Sequence, residues 1–359
     1  MSYTDDELLK LDPELEHIFN TQGWPKTRLP TQENHLLLRK GFNAACAKYN
    51  KSVFAQQVLG VAFHSPTWTE TDHNVPVRDG TTIKVRSYAP LPTSLEHENL
   101  PVIVQIHGGG FLMGDLDTDA LICRLFCTRL RVVVLNIYYR RHPEVDFPIP
   151  VLDCYDAVRW ASTHAPSLGG DPTKGFIISG NSGGGTYAAI VAHLVRDDKL
   201  SPKLTGCLLT CPALTDECID DNGEPSTLFD HETEYRSYWQ NADAPFANHE
   251  LTTAVKRFAD FDLRSPLLTP FHFPSHADIP PTYICVCGLD PRRDGGFLYK
   301  RELERVGELV KIDVYPGLPH CWWTSHPQIS RTQVWLRNTV EGMKWLLSLS
   351  HERKLNSKI

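Results

Sequence analysis

A chain of 359 residues, 41% hydrophobic and 22% charged, has the composition of a folded globular protein and excludes a disordered or fibrous one. Its 36 basic and 43 acidic side chains leave a net charge of −7 with no basic stripe, which excludes the electrostatic footprint of a nucleic-acid binder. No stretch approaches the roughly 18 to 20 apolar residues of a membrane span, and Asp5, Asp6, Glu7, Asp12, Glu14 and Glu16 leave the first turns no apolar run suited to a signal peptide.

In chain order, residues 1–60 read as an N-terminal helical cap segment, with Leu36, Leu37, Phe42, Ala45 and Val53 among its apolar positions. Short runs rich in β-branched residues then predict strands at 82–88, 102–107, 131–137, 175–180, 204–211, 282–288 and 310–315. Helical spacing predicts helices at 118–130, 150–164, 183–197, 295–307 and 328–349. Strand alternating with helix implies an α/β fold: a mostly parallel central sheet with helices on both faces and ligands at the carboxyl ends of its strands. The runs VIVQI and FIISG are continuously apolar, as strands buried on both faces should be. Residues 61–215 are therefore assigned to the first part of the core and 251–359 to the second. Between them, 216–250 holds ten acids against the single base Arg236, together with Phe229, Tyr235, Tyr238, Trp239 and Phe246. A segment so long and so different is expected to be a cap insertion over the ligand end of the sheet. The ten cysteines show no two-residue spacing, and Cys207, Cys211, Cys285 and Cys287 fall in apolar strands. They are expected to be reduced core residues, with no metal bound.

Gly180-Asn181-Ser182-Gly183-Gly184 lies between a predicted strand and a predicted helix, the setting of a nucleophile elbow. Its glycines leave room for a strained serine turn between closely packed elements. His107-Gly108-Gly109-Gly110 follows the strand at 102–107, and glycine loops of this kind supply oxyanion-hole N–H groups in lipases and esterases. Gly108, Gly109 and Gly110 are the candidate donors here, joined by the N–H of Gly183, each such donor being worth about 3 kcal/mol of barrier. A serine hydroxyl needs a base and an orienting acid. His320, in the stiff loop after the last strand, and Asp290, directly after the strand at 282–288, complete the order Ser182, Asp290, His320. Asp294 is the rival acid, and His272, His276 and His326 are rival bases.

The ordered set HGGGF at 107–111, YYRRHPE at 138–144, GNSGGG at 180–185, SPLL at 265–268, LDPRRDGG at 289–296 and GLPHCWW at 317–323 resembles the hormone-sensitive-lipase-like family of α/β-hydrolases. The resemblance implies an α/β-hydrolase fold with a helical cap made of the N-terminal helices and the insertion. It implies a Ser182–His320–Asp290 triad, oxyanion donors at Gly109, Gly110 and Gly183, and structural roles for His107, Tyr139 and Arg140. Two departures stand out: members commonly carry GDSAGG at the elbow, where this chain has Asn181 for the acid and Gly183 for the alanine. The chain is also similar to fungal members acting in natural-product pathways.

The expected activity is that of a serine carboxylic ester hydrolase on a small to medium apolar ester, with no cofactor. An acyltransferase, lactonase or amidase of secondary metabolism using the same triad is the alternative. A non-catalytic ligand receptor on the same fold is a third reading, disfavoured because such relatives lack the histidine that stands here as His320. The expected partner is a small-molecule ester, with a homodimer left open. The expected compartment is the cytoplasm, with the peroxisome as the alternative because Ser357-Lys358-Ile359 is one conservative change from a peroxisomal address.

Overall fold

In the computed structural model, which describes residues 3–92, 99–215, 228–230, 232–259 and 261–356, the strands are β1 (Trp68–Pro76), β2 (Thr82–Pro90), β3 (Val102–Ile106), β4 (Val133–Tyr138), β5 (Phe176–Asn181), β6 (Gly206–Thr210), β7 (Thr282–Leu289) and β8 (Val310–Pro319). They form one sheet in the order β1-β2-β4-β3-β5-β6-β7-β8, antiparallel across β1, β2 and β4 and parallel from β4 to β8. This is the α/β-hydrolase arrangement expected from the alternation of strands and helices. Side chains of β3 divide between two layers: Val102, Val104 and Ile106 join the helices Ile149–His164 and Gly183–Asp197 on one face. Ile103 joins Ala120–Leu130 and the last helix, Ser330–Asn356, on the other. Both faces are covered, so a continuous apolar run is what each central strand requires.

β1 was not predicted, and its sequence, Trp-Thr-Glu-Thr-Asp-His-Asn-Val-Pro, shows why. It is an edge strand exposed along most of its length and held by its ladder to β2 rather than by an apolar face. The first helices also reach β8. After Asp5–Leu9, the Asp12 N–H donates to the Gly317 carbonyl at 2.9 Å, and Gly317 has φ of 69°, a turn conformation that favours glycine. The amino-terminal segment thus braces the loop that carries His320. On the cap side, the helix His249–Ala259 runs past the boundary drawn at 250, and Phe261, Leu263 and Leu268 continue the same cavity wall. Of the cap insertion, 216–227 and 231 lie outside the described residues, as does the carboxyl-terminal tripeptide 357–359. Among the described residues, no helix is long and apolar enough to cross a membrane.

Candidate active site

Strand order reverses around β3, with β4 on one side and β5 on the other, and the crevice at such a switch point is where ligands bind in open α/β sheets. Pairing of Ile106 with Gly180 places the glycine loop after β3 beside the turn after β5. At that turn Ser182 has φ of 54° and ψ of −123°, outside the favoured regions for a side-chain-bearing residue, and the helix Gly183–Asp197 begins at once. The turn closes only because its neighbours lack side chains: a Cβ on Gly180 would strike the Gly184 carbonyl, and one on Gly184 would strike that of Ile106.

Two more strand ends deliver the remaining groups. Leu289 of β7 pairs with Pro319 of β8 across a register shift, so the residues that follow, Asp290 and His320, emerge side by side. Ser182 Oγ lies 2.8 Å from His320 Nε2, and His320 Nδ1 lies 2.5 Å from Asp290 Oδ2. The other carboxylate oxygen, Asp290 Oδ1, accepts from the Arg292 N–H at 2.9 Å. Burial alone would raise the Asp290 carboxyl, but His320 and the Arg292 guanidinium hold it below the ordinary carboxylate value. Burial alone would lower His320; the Asp290 charge and hydrogen bond outweigh it and raise the imidazole above 6.5.

The rivals have other employment. Asp294 accepts from Arg293 Nε at 2.7 Å and from the Ser237 N–H at 2.6 Å, tying the helix Arg293–Arg305 to the short helix Ser237–Gln240. His276 faces His193 at 3.0 Å, and His326 lies edge-on to Phe19. His272 ends the short 3-10 turn Pro270–His272, and its buried Nε2 has no hydrogen-bond partner among the described residues. None of the four joins Ser182.

The glycine loop is shaped from beneath. His107 stacks on Tyr139 at 4.4 Å, and burial pushes its pKa down to about 3, so the neutral ring donates from Nδ1 to the Gly108 carbonyl at 2.7 Å. The Tyr139 hydroxyl donates to the His107 carbonyl at 3.0 Å, and Arg140 makes a two-pronged bond to Asp153 at 2.9 and 2.7 Å. Gly109 and Gly110 have φ of 128° and 58°, and a Cβ on Gly109 would collide with the Met113 carbonyl. Gly108 lies against the elbow, where a Cβ would come within 2.9 Å of the Asn181 carbonyl oxygen, and it stands with Gly109, Gly110 and Gly183 among the candidate donors.

The elbow departures find physical reasons in the same place. A Cβ on Gly183 would come within 2.9 Å of the Phe111 ring, which fills the space an alanine methyl would take. Asn181 sits between the Asp119 carboxyl and Cys321, whose Sγ donates to Asn181 Oδ1 at 3.2 Å. Asp119 also accepts from Gln105 Nε2 at 2.9 Å, while burial pushes its pKa up to about 6. An acid at 181 would set a second carboxyl beside the buried Asp119, whereas the amide brings no charge there. Asp119 and Gln105 escaped the sequence reading because neither lies in a motif.

A cavity of about 370 Å³ opens over Ser182, with walls that include Phe42, Phe246, Leu251, Val255, Phe261 and Leu268. Of the aromatics singled out in the insertion, Phe246 lines it, whereas Tyr235 and Tyr238 pack with Leu298 in a separate cluster. Trp322 and Trp323 beside His320 are buried core, the latter stacked on Trp335 at 4.0 Å.

The sequence matches the family described as having the alpha/beta hydrolase fold over residues 103–324. It is 32% identical over 303 residues to the versiconal hemiacetal acetate esterase of Dothistroma septosporum, covering 83% of this chain and 88% of that one. Among solved structures, vibralactone cyclase has a TM-score of 0.83 at 28% identity, covering 98% of each chain. An esterase of Pyrobaculum calidifontis has a TM-score of 0.77 at 26% identity, covering 94% of this chain and 99% of that one.

Proposed function

The chain belongs to the hormone-sensitive-lipase-like family of α/β-hydrolases, whose named relatives are esterases, and from that premise we propose that it is a serine carboxylic ester hydrolase acting on a small to medium apolar ester through Ser182, His320 and Asp290. The observation that carries this reading is the unbroken pair of bonds from Ser182 Oγ through His320 to Asp290, 2.8 and 2.5 Å, at the floor of a largely apolar cavity. His320 Nε2 takes the hydroxyl proton as Ser182 attacks the acyl carbon, and Asp290 keeps the other ring nitrogen protonated and stabilises the imidazolium that forms. The N–H groups of Gly109, Gly110 and Gly183 receive the negative charge that builds on the carbonyl oxygen. The imidazolium then protonates the leaving alcohol. Water, deprotonated by the same nitrogen, attacks the acyl-enzyme and frees the acid.

Turnover of a series of p-nitrophenyl esters of increasing acyl length tests this. The wild type is expected to hydrolyse the short and medium members and the Ser182→Ala variant none; hydrolysis that survives the substitution rejects the reading. A second reading is favoured by the likeness to vibralactone cyclase over 98% of both chains: the acyl-enzyme is resolved by a hydroxyl of the substrate rather than by water. Added alcohol distinguishes the two, since ester formed in excess over free acid supports acyl transfer and unchanged acid release supports hydrolysis.

A further inference from the structure

Three cysteines far apart in the sequence meet beside His320. Cys211 follows β6 in a left-handed turn with φ of 46°, Cys287 lies in β7, and Cys321 follows His320 with φ of 50°. The sulfurs of Cys211 and Cys287 are 3.1 Å apart. Candidate ligand atoms of Cys211, His320 and Cys321 all lie within 4.8 Å of one another, and those of Cys211, Cys287 and Asp290 do so as well. The thiols are buried, yet Cys321 lines the substrate cavity, so the cluster can be reached from the side on which the ester enters.

Soft d10 cations prefer this donor set. Zinc holds thiolate sulfur at about 2.3 Å and imidazole nitrogen at about 2.0 to 2.1 Å, which spaces its tetrahedral ligands by less than about 4 Å. Two thiolates also balance the charge of a divalent ion, which a buried site requires. We propose that Cys211, Cys321 and His320, adjoined by Cys287, form a binding site for a soft divalent cation such as zinc or cadmium, and that its occupancy switches hydrolysis off. Two thiol protons leave to solvent, two metal–sulfur bonds and one metal–nitrogen bond form, and the ligating ring nitrogen gives up its bond to Ser182 or to Asp290. Either loss disables the base. The switch rests on His320 acting as that base, whereas the binding site does not.

The test uses the full chain. Cadmium is titrated into Ser182→Ala protein while the sulfur-to-cadmium charge-transfer absorption is followed, and into wild type while ester hydrolysis is followed before and after a chelator. The expected result is one cadmium per chain, hydrolysis lost in parallel and regained with chelator, and binding weakened about tenfold or more by Cys211→Ser or Cys321→Ala. Cys154→Ala, a buried thiol in the helix Ile149–His164, should leave binding unchanged. X-ray absorption of the zinc-loaded wild type needs no variant and should show at least two sulfurs at about 2.3 Å. A shell of nitrogen and oxygen alone, or inhibition equal in the cysteine variants, overturns the site. Fluorophosphonate labelling of metal-free wild type separates the two readings: labelling without a cadmium band rejects the metal site alone, and a band without labelling rejects the hydrolase reading and the switch with it.

Discussion

At the carboxyl end of the sheet, the groups around Ser182 are set by backbone register, with Ile106 opposite Gly180 and Leu289 opposite Pro319. Across the cavity, the wall is set by side chains from distant segments, Phe42 from one helix, Phe246 from the insertion, and Val255 and Phe261 from beyond it. The first region tolerates little, because Gly108, Gly109, Gly180 and Gly184 sit where a Cβ would meet backbone atoms. The second can change by repacking. On the proposed reading, the chemistry belongs to the strand ends and the choice of ester to the wall.

That division can be broken by substitutions on either side. The largest effect is expected of Ser182→Ala, which should lower kcat on the order of 10⁴-fold or more in steady-state hydrolysis while the circular dichroism spectrum is kept. Asp290→Asn should cost about 10³- to 10⁴-fold in kcat, since the amide permits the wrong tautomer of His320. Asp294→Asn should instead lower the melting temperature, because Asp294 ties Arg293 and Ser237; the reverse outcome would exchange their roles. Gly183→Ala, which must displace the Phe111 ring from 2.9 Å, should lower kcat by up to about 10²-fold through a misplaced oxyanion donor. Phe261→Ala should act on the other side of the division, changing the ratio of kcat/KM between long and short acyl chains by about tenfold and leaving kcat for the shortest ester nearly intact.

The acid–base behaviour of the strand-end region supplies a further check. As the proposed base, His320 would act only when neutral, and Asp290 raises its pKa above 6.5 against the lowering effect of burial. As pH falls through that raised value the imidazole protonates and kcat/KM must fall, so the acid limb of the profile should lie above an ordinary histidine's. Replacing Asp290 by asparagine removes the charge that raises it, and the limb should move to lower pH.

The two regions also differ in how far the sequence discloses them. Ser182, Asp290 and His320, which the structure brings together, could be singled out because each follows an apolar run that marks a buried strand, and because glycine or proline punctuates the turn. The fold class followed from the same runs. β1 was not readable, since an exposed edge strand carries no apolar alternation. The cavity wall and the meeting of Cys211, Cys287 and Cys321 were hidden for one reason: both arise from register and loop placement between segments that no local spacing connects.

Activation of Ser182 by His320 and Asp290 is tested by the intact mass of the protein after treatment with a fluorophosphonate, which reports on the nucleophile without knowledge of the natural ester. Wild type should gain one adduct, carried by the peptide containing Ser182, and Ser182→Ala should gain none. A well-folded wild type that stays unmodified, or an adduct that persists in Ser182→Ala, would contradict the assignment.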